Sequence, residues 1–235
     1  MYDLTLNHKV ALVTGVDDNL GAKICEKLAR AGAEVWIHRF NEEDADNLQE
    51  EILSFAGASF VITNSLQTPE AVRSVVSKII EKSGKIDILV NHAEKVSIES
   101  IDQLTTEKWL DTFETNLDVP FLCCQEILPF MLQVGEGTII NISSSSAETG
   151  EMGPHYAATK SALESFTRGL SREFKGKGIK VKLVSPPASL HDTRLATYEK
   201  ARIIEAMANK ALLLCSPYLD YEVDKLSRDN EVLKN

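Results

Sequence analysis

Lys9-Val10-Ala11-Leu12-Val13-Thr14-Gly15-Val16-Asp17-Asp18-Asn19-Leu20-Gly21 is the stretch on which the fold turns. Its first five residues form a short apolar run, the pattern of a buried strand, and Thr14-Gly15 turns the chain out of it. From residue 20 to 31 apolar residues recur at helical spacing (Leu20, Ile24, Leu28), and Ala31-Gly32 closes that helix. A helix that starts at the C-terminal edge of a strand offers free amides and the positive end of its dipole to an anion. The turn is poor in glycine, so by itself it suits a plain connection as well as a phosphate cradle.

The same strand-then-helix unit repeats outward from there. Residues 34–38, 59–63, 86–91, 137–143 and 179–185 read as further strands. Residues 42–54, 69–82, 105–132 and 156–174 read as helices, the third of these interrupted or bent at Pro120. Strand and helix alternate for 185 residues with short connections, and each parallel crossover needs a long return. The expected architecture is α/β: one doubly wound, Rossmann-type domain over residues 1–235, with helices on both faces of a parallel sheet. After Pro186-Pro187 the signal weakens: residues 188–215 read as a short flap and a helix from 201, and 216–235 as a charged tail without a strand.

Composition narrows the class of partner. Hydrophobic residues are 43% and charged residues 26%, the balance of a globular chain. Lys+Arg 25 against Asp+Glu 35 leaves a net charge of −10, which argues against nucleic acid or an anionic membrane as the main partner. The longest apolar stretches are strand-length, and Met1-Tyr2-Asp3-Leu4 does not begin a secretory signal, so no membrane span is expected. Cys25, Cys123, Cys124 and Cys215 have neither C-x-x-C spacing nor histidines at zinc intervals. They read as reduced thiols in a cytoplasmic protein that holds no metal.

Two constellations carry chemistry. Tyr156 and Lys160 lie four apart at the start of a helix, hence on one face, where the ammonium would favour phenolate and lower the tyrosine's pKa. The spacing recurs at Tyr221 and Lys225 in the tail, which reads as a solvated coincidence; only Tyr156 follows a strand of the sheet. The serine run 143–146 ends the fifth strand, and Ser144, twelve residues before Tyr156, is the one placed to hold a carbonyl oxygen beside the phenol.

Thr14-Gly15 with Gly21, Asn91-His92-Ala93 after the fourth strand, Asn116 in the long helix, Ser144, and Tyr156 with Lys160 occur in order. Together they resemble the short-chain dehydrogenase/reductase family, especially its 3-oxoacyl-carrier-protein-reductase-like members, over about residues 5–187. The resemblance implies a hydride transfer between a nicotinamide cofactor and a carbonyl or secondary alcohol. Tyr156 would be the general acid or base, and Lys160 would lower its pKa and hold the nicotinamide ribose. Ser144 would orient the substrate oxygen, with Ser143 the alternative, and Asn116 would hold a water linking Lys160 to solvent. Gly15, Asn19, Leu20, Gly21, Arg39, Asn64, Asn91, Ala93 and Pro186 would line the cofactor, with Asn91 and Ala93 by its ribose and Asn64 by its adenine. Capping alone is the plainer role for Asn116 and Asn64.

The sequence departs from the family at backbone positions. Asn19, Glu94 and Pro187 stand where relatives carry glycine, and Asp229-Asn230-Glu231 replaces a C-terminal glycine pair. Glu94 and the pair Asp17-Asp18 bring carboxylates toward a cofactor that carries phosphates. The alternative they raise is a catalytically impaired binding or interaction subunit of the same fold. At the end of the second strand Arg39 replaces the aspartate of NAD-selective relatives and could pair with a 2′-phosphate, so NADP(H) is expected over NAD(H). A salt bridge from Arg39 to Glu42, Glu43 or Asp18 is the plainer alternative. The apolar content of the two long helices, with Phe113, Leu117, Phe121, Leu128, Phe130 and Phe166, implies a homodimer or homotetramer.

Overall fold

The computed structural model describes residues 4–40, 45–55 and 58–216. Six strands, β1 Val10–Val13, β2 Glu34–Arg39, β3 Ser59–Thr63, β4 Ile88–Asn91, β5 Gly137–Ile142 and β6 Ile179–Val184, form one sheet. All pairings are parallel and the order is β3-β2-β1-β4-β5-β6. Every residue of β1, β4 and β5 is buried, as expected of strands covered on both faces. The order reverses between β1 and β4, and the crevice outside the C-terminal ends of those strands is where such sheets bind ligands.

Helices α1 Asn19–Arg30, α2 Ala45–Ser54 and α8 Thr197–Cys215 cover one face. There Ile24, Leu28, Ile52, Ala211 and Leu214 close over Val13, Val35 and Val90. Helices α3 Pro69–Ser83, α5 Val119–Val134 and α7 Pro154–Glu173 lie on the other. There Val75, Ile79, Ile127 and Met131 meet Leu12, Leu89 and Ile139, with Phe174, just beyond α7, in the same core. All four cysteines are buried and free.

The long helix expected at 105–132 is two helices. Helix α4, Thr106–Phe113, runs through a π turn, Glu114–Asp118, into α5. Pro120 has no N–H to give the Asn116 carbonyl and its ring crowds that group, so the ladder widens there and Val119 N–H bonds Glu114 instead. By length and composition Thr106–Val134 is apolar enough to cross a membrane. Many of its apolar side chains, Leu122, Cys123, Ile127 and Met131 among them, are instead part of the core beneath the sheet. Two short elements carried no sequence signal: α6, Ser146–Thr149, and a 3-10 turn, Ala188–His191. The expected flap is residues 188–196, because α8 starts four residues earlier than expected and packs along α1. Tyr221, Lys225 and the tail from 217 lie outside the described residues.

Candidate active site

Four connections converge at the C-terminal edge of the sheet: β1 to α1, β4 to α4, β5 to α6 and β6 to the 3-10 turn. Tyr156 and Lys160 are one turn apart on α7, and both are essentially fully buried. Ser144 hydrogen-bonds the Tyr156 phenol and also contacts Ser146, whose N–H donates to Ser144 Oγ at 3.2 Å. Ser143 points elsewhere, donating to Glu164 Oε1 at 3.0 Å. The serine beside the phenol is therefore Ser144, two residues past the end of the β5 register.

The phenol and the ammonium meet through a third group. Tyr156 Oη donates to Glu94 Oε2 at 3.0 Å, and Lys160 Nζ lies 2.8 Å from the same oxygen. Lys160 Nζ also donates to the Ile142 carbonyl at 3.0 Å, and lies 5.5 Å from the Tyr156 ring centroid. His191 Nε2 stands 3.5 Å from Glu94 Oε1. Burial alone would raise the Glu94 carboxyl, but Lys160, His191 and His92 hold it below the ordinary range. Tyr156 moves the opposite way from the sequence expectation. Burial, then the Glu94 carboxylate, push its pKa up, against the opposing Ser144 hydrogen bond. The expected lowering by Lys160 fails because Glu94 is interposed: the phenol senses an adjacent anion before it senses the ammonium.

Glu94 is held by backbone contacts on both sides. Gly15, at φ +63°, packs on Ala93 so tightly that a Cβ there would lie 2.4 Å from the Ala93 Cα. Thr14 Oγ1 accepts from the N–H groups of His92 and Ala93. On the other side Asn116, buried in the π turn, accepts the Lys95 N–H at 2.6 Å and donates to the Lys95 carbonyl at 3.1 Å. Lys95 further pairs with Asp111 of α4. The Asn116 amide, expected to serve Lys160 through a water, instead clamps the loop that carries Glu94, with Thr159 as its remaining partner at 3.2 Å.

Asn91 also departs from its expected place. Its amide donates to Asn141 Oδ1 at 2.8 Å, across a register pair of β4 and β5, and Asn141 donates onward to Thr167. This polar thread runs through the core, and Asn91 Oδ1 is buried with no hydrogen-bond partner among the described residues. Asn64 gives its carbonyl to His38 and lines a separate open groove of about 600 Å³ with Trp36, Lys78 and Lys82. Pro186 accepts from Ser145 N–H, and Ala188 N–H bonds Ser145 Oγ at 2.8 Å, so the flap starts tied to the serine turn.

The acidic pair in the first turn divides. Asp17 accepts from the Phe40 N–H and lies within the field of Arg39; burial raises its carboxyl more than these partners lower it. Asp18 caps α1, taking the Gly21 N–H at 2.8 Å, while Asn19 and Leu20 form the first helical positions. Its second partner is His92, Nε2 at 3.2 Å. Burial would raise Asp18, yet His92 and the cap bond bring it down to about 2. A Cβ at Gly21 would lie 3.0 Å from the His92 ring, so a side chain there would push the ring aside by a few tenths of an ångström. Arg39 is buried and its Nε lacks a hydrogen-bond partner among the described residues. Of the salt-bridge partners weighed for it, Asp18 pairs with His92 instead, and Glu42 and Glu43 lie outside the described residues.

Sequence reasoning missed three histidines. His92 Nδ1 faces the Gly15 carbonyl at 3.0 Å while Nε2 faces Asp18, so both ring nitrogens meet acceptors and the ring is an imidazolium. Burial works against that charge, but Asp18 prevails and the pKa is raised. His38 is the reverse. Its Nδ1 accepts the Gly15 N–H at 3.1 Å and Nε2 donates to the Asn64 carbonyl at 2.7 Å; burial pushes it down to about 4, and it stays neutral. His191, on the 3-10 turn, is the flap's contact with Glu94. The one available signal was a polar residue ending an apolar strand at His38 and His92.

Fold and site together define a doubly wound α/β protein whose buried Tyr-Lys pair lies at the topological switch point. A family model described as short chain dehydrogenase matches residues 9–202. A 3-oxoacyl-(acyl-carrier-protein) reductase of Staphylococcus epidermidis is 32% identical over 181 residues, 76% of this chain and 74% of that protein. Among solved structures, a short-chain dehydrogenase/reductase from Burkholderia xenovorans superposes with a TM-score of 0.82 at 30% identity, over 90% of each chain. A gluconate 5-dehydrogenase from Burkholderia cenocepacia, in complex with NADP and tartrate, superposes at 0.80 with 26% identity, over 91% of this chain and 90% of that one. The chain belongs to the short-chain dehydrogenase/reductase family, a family of oxidoreductases, and within it resembles the 3-oxoacyl-(acyl-carrier-protein) reductases.

Proposed function

We propose that the protein interconverts a small carbonyl compound and its secondary alcohol, using a nicotinamide cofactor. The observation that carries this reading is the buried Tyr156 phenol with Ser144 on one side and Lys160 one helical turn away. The buried phenol is protonated at neutral pH, so Tyr156 can donate a proton to a carbonyl oxygen, and in the reverse direction its phenolate would accept one. Ser144 would hold the substrate oxygen against that proton, and Lys160 would stabilise the negative charge that Tyr156 develops as it gives the proton up. The cofactor, when bound, supplies or receives the hydride.

The residues present fit such a cofactor at its phosphate and adenosine end. Gly15 turns the chain at φ +63° between β1 and α1, the amides of Asn19 and Leu20 open α1, and Arg39 Nε is a buried donor with no hydrogen-bond partner among the described residues. That donor supports NADP(H) over NAD(H), since it can pair with a 2′-phosphate but cannot accept from ribose hydroxyls. Ala93 and the backbone of Asn91 and Pro186 would border the rest. At the nicotinamide end Glu94 already engages the Lys160 that would hold the ribose.

We further place the protein in the cytoplasm, on the strength of four buried free thiols, and expect a homodimer or homotetramer. Phe121, Phe130 and Leu132 are 43%, 36% and 40% exposed on α5, and Phe121 meets Phe166 of α7 edge-on, so both long helices contribute to one apolar face.

The test is a carbonyl and alcohol panel followed at the nicotinamide absorbance, run with Tyr156→Phe alongside. The variant loses the proton donor and should turn over about 10²-fold more slowly or worse, with its melting temperature little changed. Near wild-type turnover in the variant would remove Tyr156 from the mechanism. If no cofactor binds at millimolar concentration, the alternative stands: a binding or interaction subunit built on the same fold.

A further inference from the structure

We infer that Glu94 is an internal ligand of the Tyr156–Lys160 pair, and that its carboxylate must turn out of the site before a nicotinamide cofactor can be held there. This rests on the function proposed above. Three side chains converge on the one carboxylate. Tyr156 Oη and Lys160 Nζ share Oε2 at 3.0 and 2.8 Å, and His191 Nε2 faces Oε1 at 3.5 Å. The Glu94 side chain is only 14% exposed, so solvent screens these contacts little.

The placement is built rather than incidental. Residue 93 is pinned beneath Gly15 and residue 95 is clamped through both backbone groups by Asn116, which leaves Glu94 few directions in which to extend. His191 comes from the flap, so the contact also fastens residues 188–191 over the pair. A ligand that needs the Lys160 ammonium or the Tyr156 hydroxyl must displace a carboxylate already bonded to both. Glu94 therefore lowers affinity for any such ligand, and the chain binds its cofactor less tightly than its other residues allow.

The claim concerns side-chain occupancy, and the experiment reads affinity rather than turnover. Dissociation constants for NADPH and NADH are measured by calorimetry for wild type, Glu94→Ala, Glu94→Gly and Glu94→Gln. Circular dichroism checks that each variant is folded. Removing the carboxylate should tighten NADPH at least tenfold in the Ala and Gly variants. Gln, which fills the space without the charge, should fall between them and wild type and keeps the test valid should a truncation unfold. Wild type binding NADPH with the same constant as all three folded variants would overturn the inference and leave the proposed function standing. Failure of wild type and all variants to bind either cofactor at millimolar concentration would overturn both.

Discussion

Replacing His92 with glutamine tests the charge assignment at the first turn. Both ring nitrogens face acceptors, Gly15 carbonyl at 3.0 Å and Asp18 at 3.2 Å, so folding fixes the doubly protonated ring. His92 has a folded pKa raised above 6.5, so its contribution is fully present below pH 6.5 and is lost as pH climbs through the folded value. Asp18 is the mirror case: held at about 2 against 3.8, it stabilises above pH 3.8 and stops doing so as pH falls toward 2. Between roughly pH 4 and 6.5 both terms therefore act in full. A hydrogen bond between charged groups contributes ~1.5–3 kcal/mol. Asp18 is 43% exposed, so solvent screening brings the pH-dependent part down to about 1 kcal/mol. For a domain of this size that is about 2–4 °C in melting temperature. Thermal unfolding of wild type and His92→Gln across pH 5 to 9 should show a gap that is widest at the acid end and narrows by that amount toward pH 9. A gap of constant width, or one that widens with alkali, would refute the imidazolium.

Two further outcomes follow from the proposed function. Arg39→Asp should reverse a modest preference for NADPH, measured as the ratio of dissociation constants; an unchanged ratio would show that Arg39 does not select the cofactor. Light scattering at micromolar concentration should give a dimer or tetramer, and Phe121→Asp should shift it toward monomer; a 26.0 kDa particle for wild type would refute the assembly.

The fold was legible because it rests on periodicity that one sequence displays. The six strands announced themselves as short apolar runs, and eleven of their twelve ends fall within one residue of the pattern. The site was legible only in part. The structure brings Tyr156, Lys160 and Ser144 together, residues whose order along the chain follows the family pattern. The roles of Asn116 and Asn91 were not legible, because what a buried amide bonds depends on partners 21 to 50 residues away. The pKa of Tyr156 was read with the wrong sign for the same reason. Its neighbour at i+4 is visible in the sequence, whereas Glu94, 62 residues back, reaches it only through the β4–α4 connection.

The three positions where the family resemblance implies glycine can be judged from their own backbone. Glycine is needed where the backbone takes positive φ or where a Cβ would collide. Among the described residues the non-glycine positions with positive φ are His8 and Met152, so Asn19, Glu94 and Pro187 need none of glycine's freedom. Asn19 is an ordinary first helical residue behind the Asp18 cap, and Pro187 sits at φ −65°, the angle its ring prefers. At residue 94 what matters is the side chain: its carboxylate occupies the space between the Tyr156 hydroxyl and the Lys160 ammonium. Alanine should then serve as well as glycine at 94, and comparable cofactor affinity in the two variants is the mark of an effect that belongs to the carboxylate alone. A Glu94→Gly variant that binds far more tightly than Glu94→Ala would instead place the constraint in the backbone.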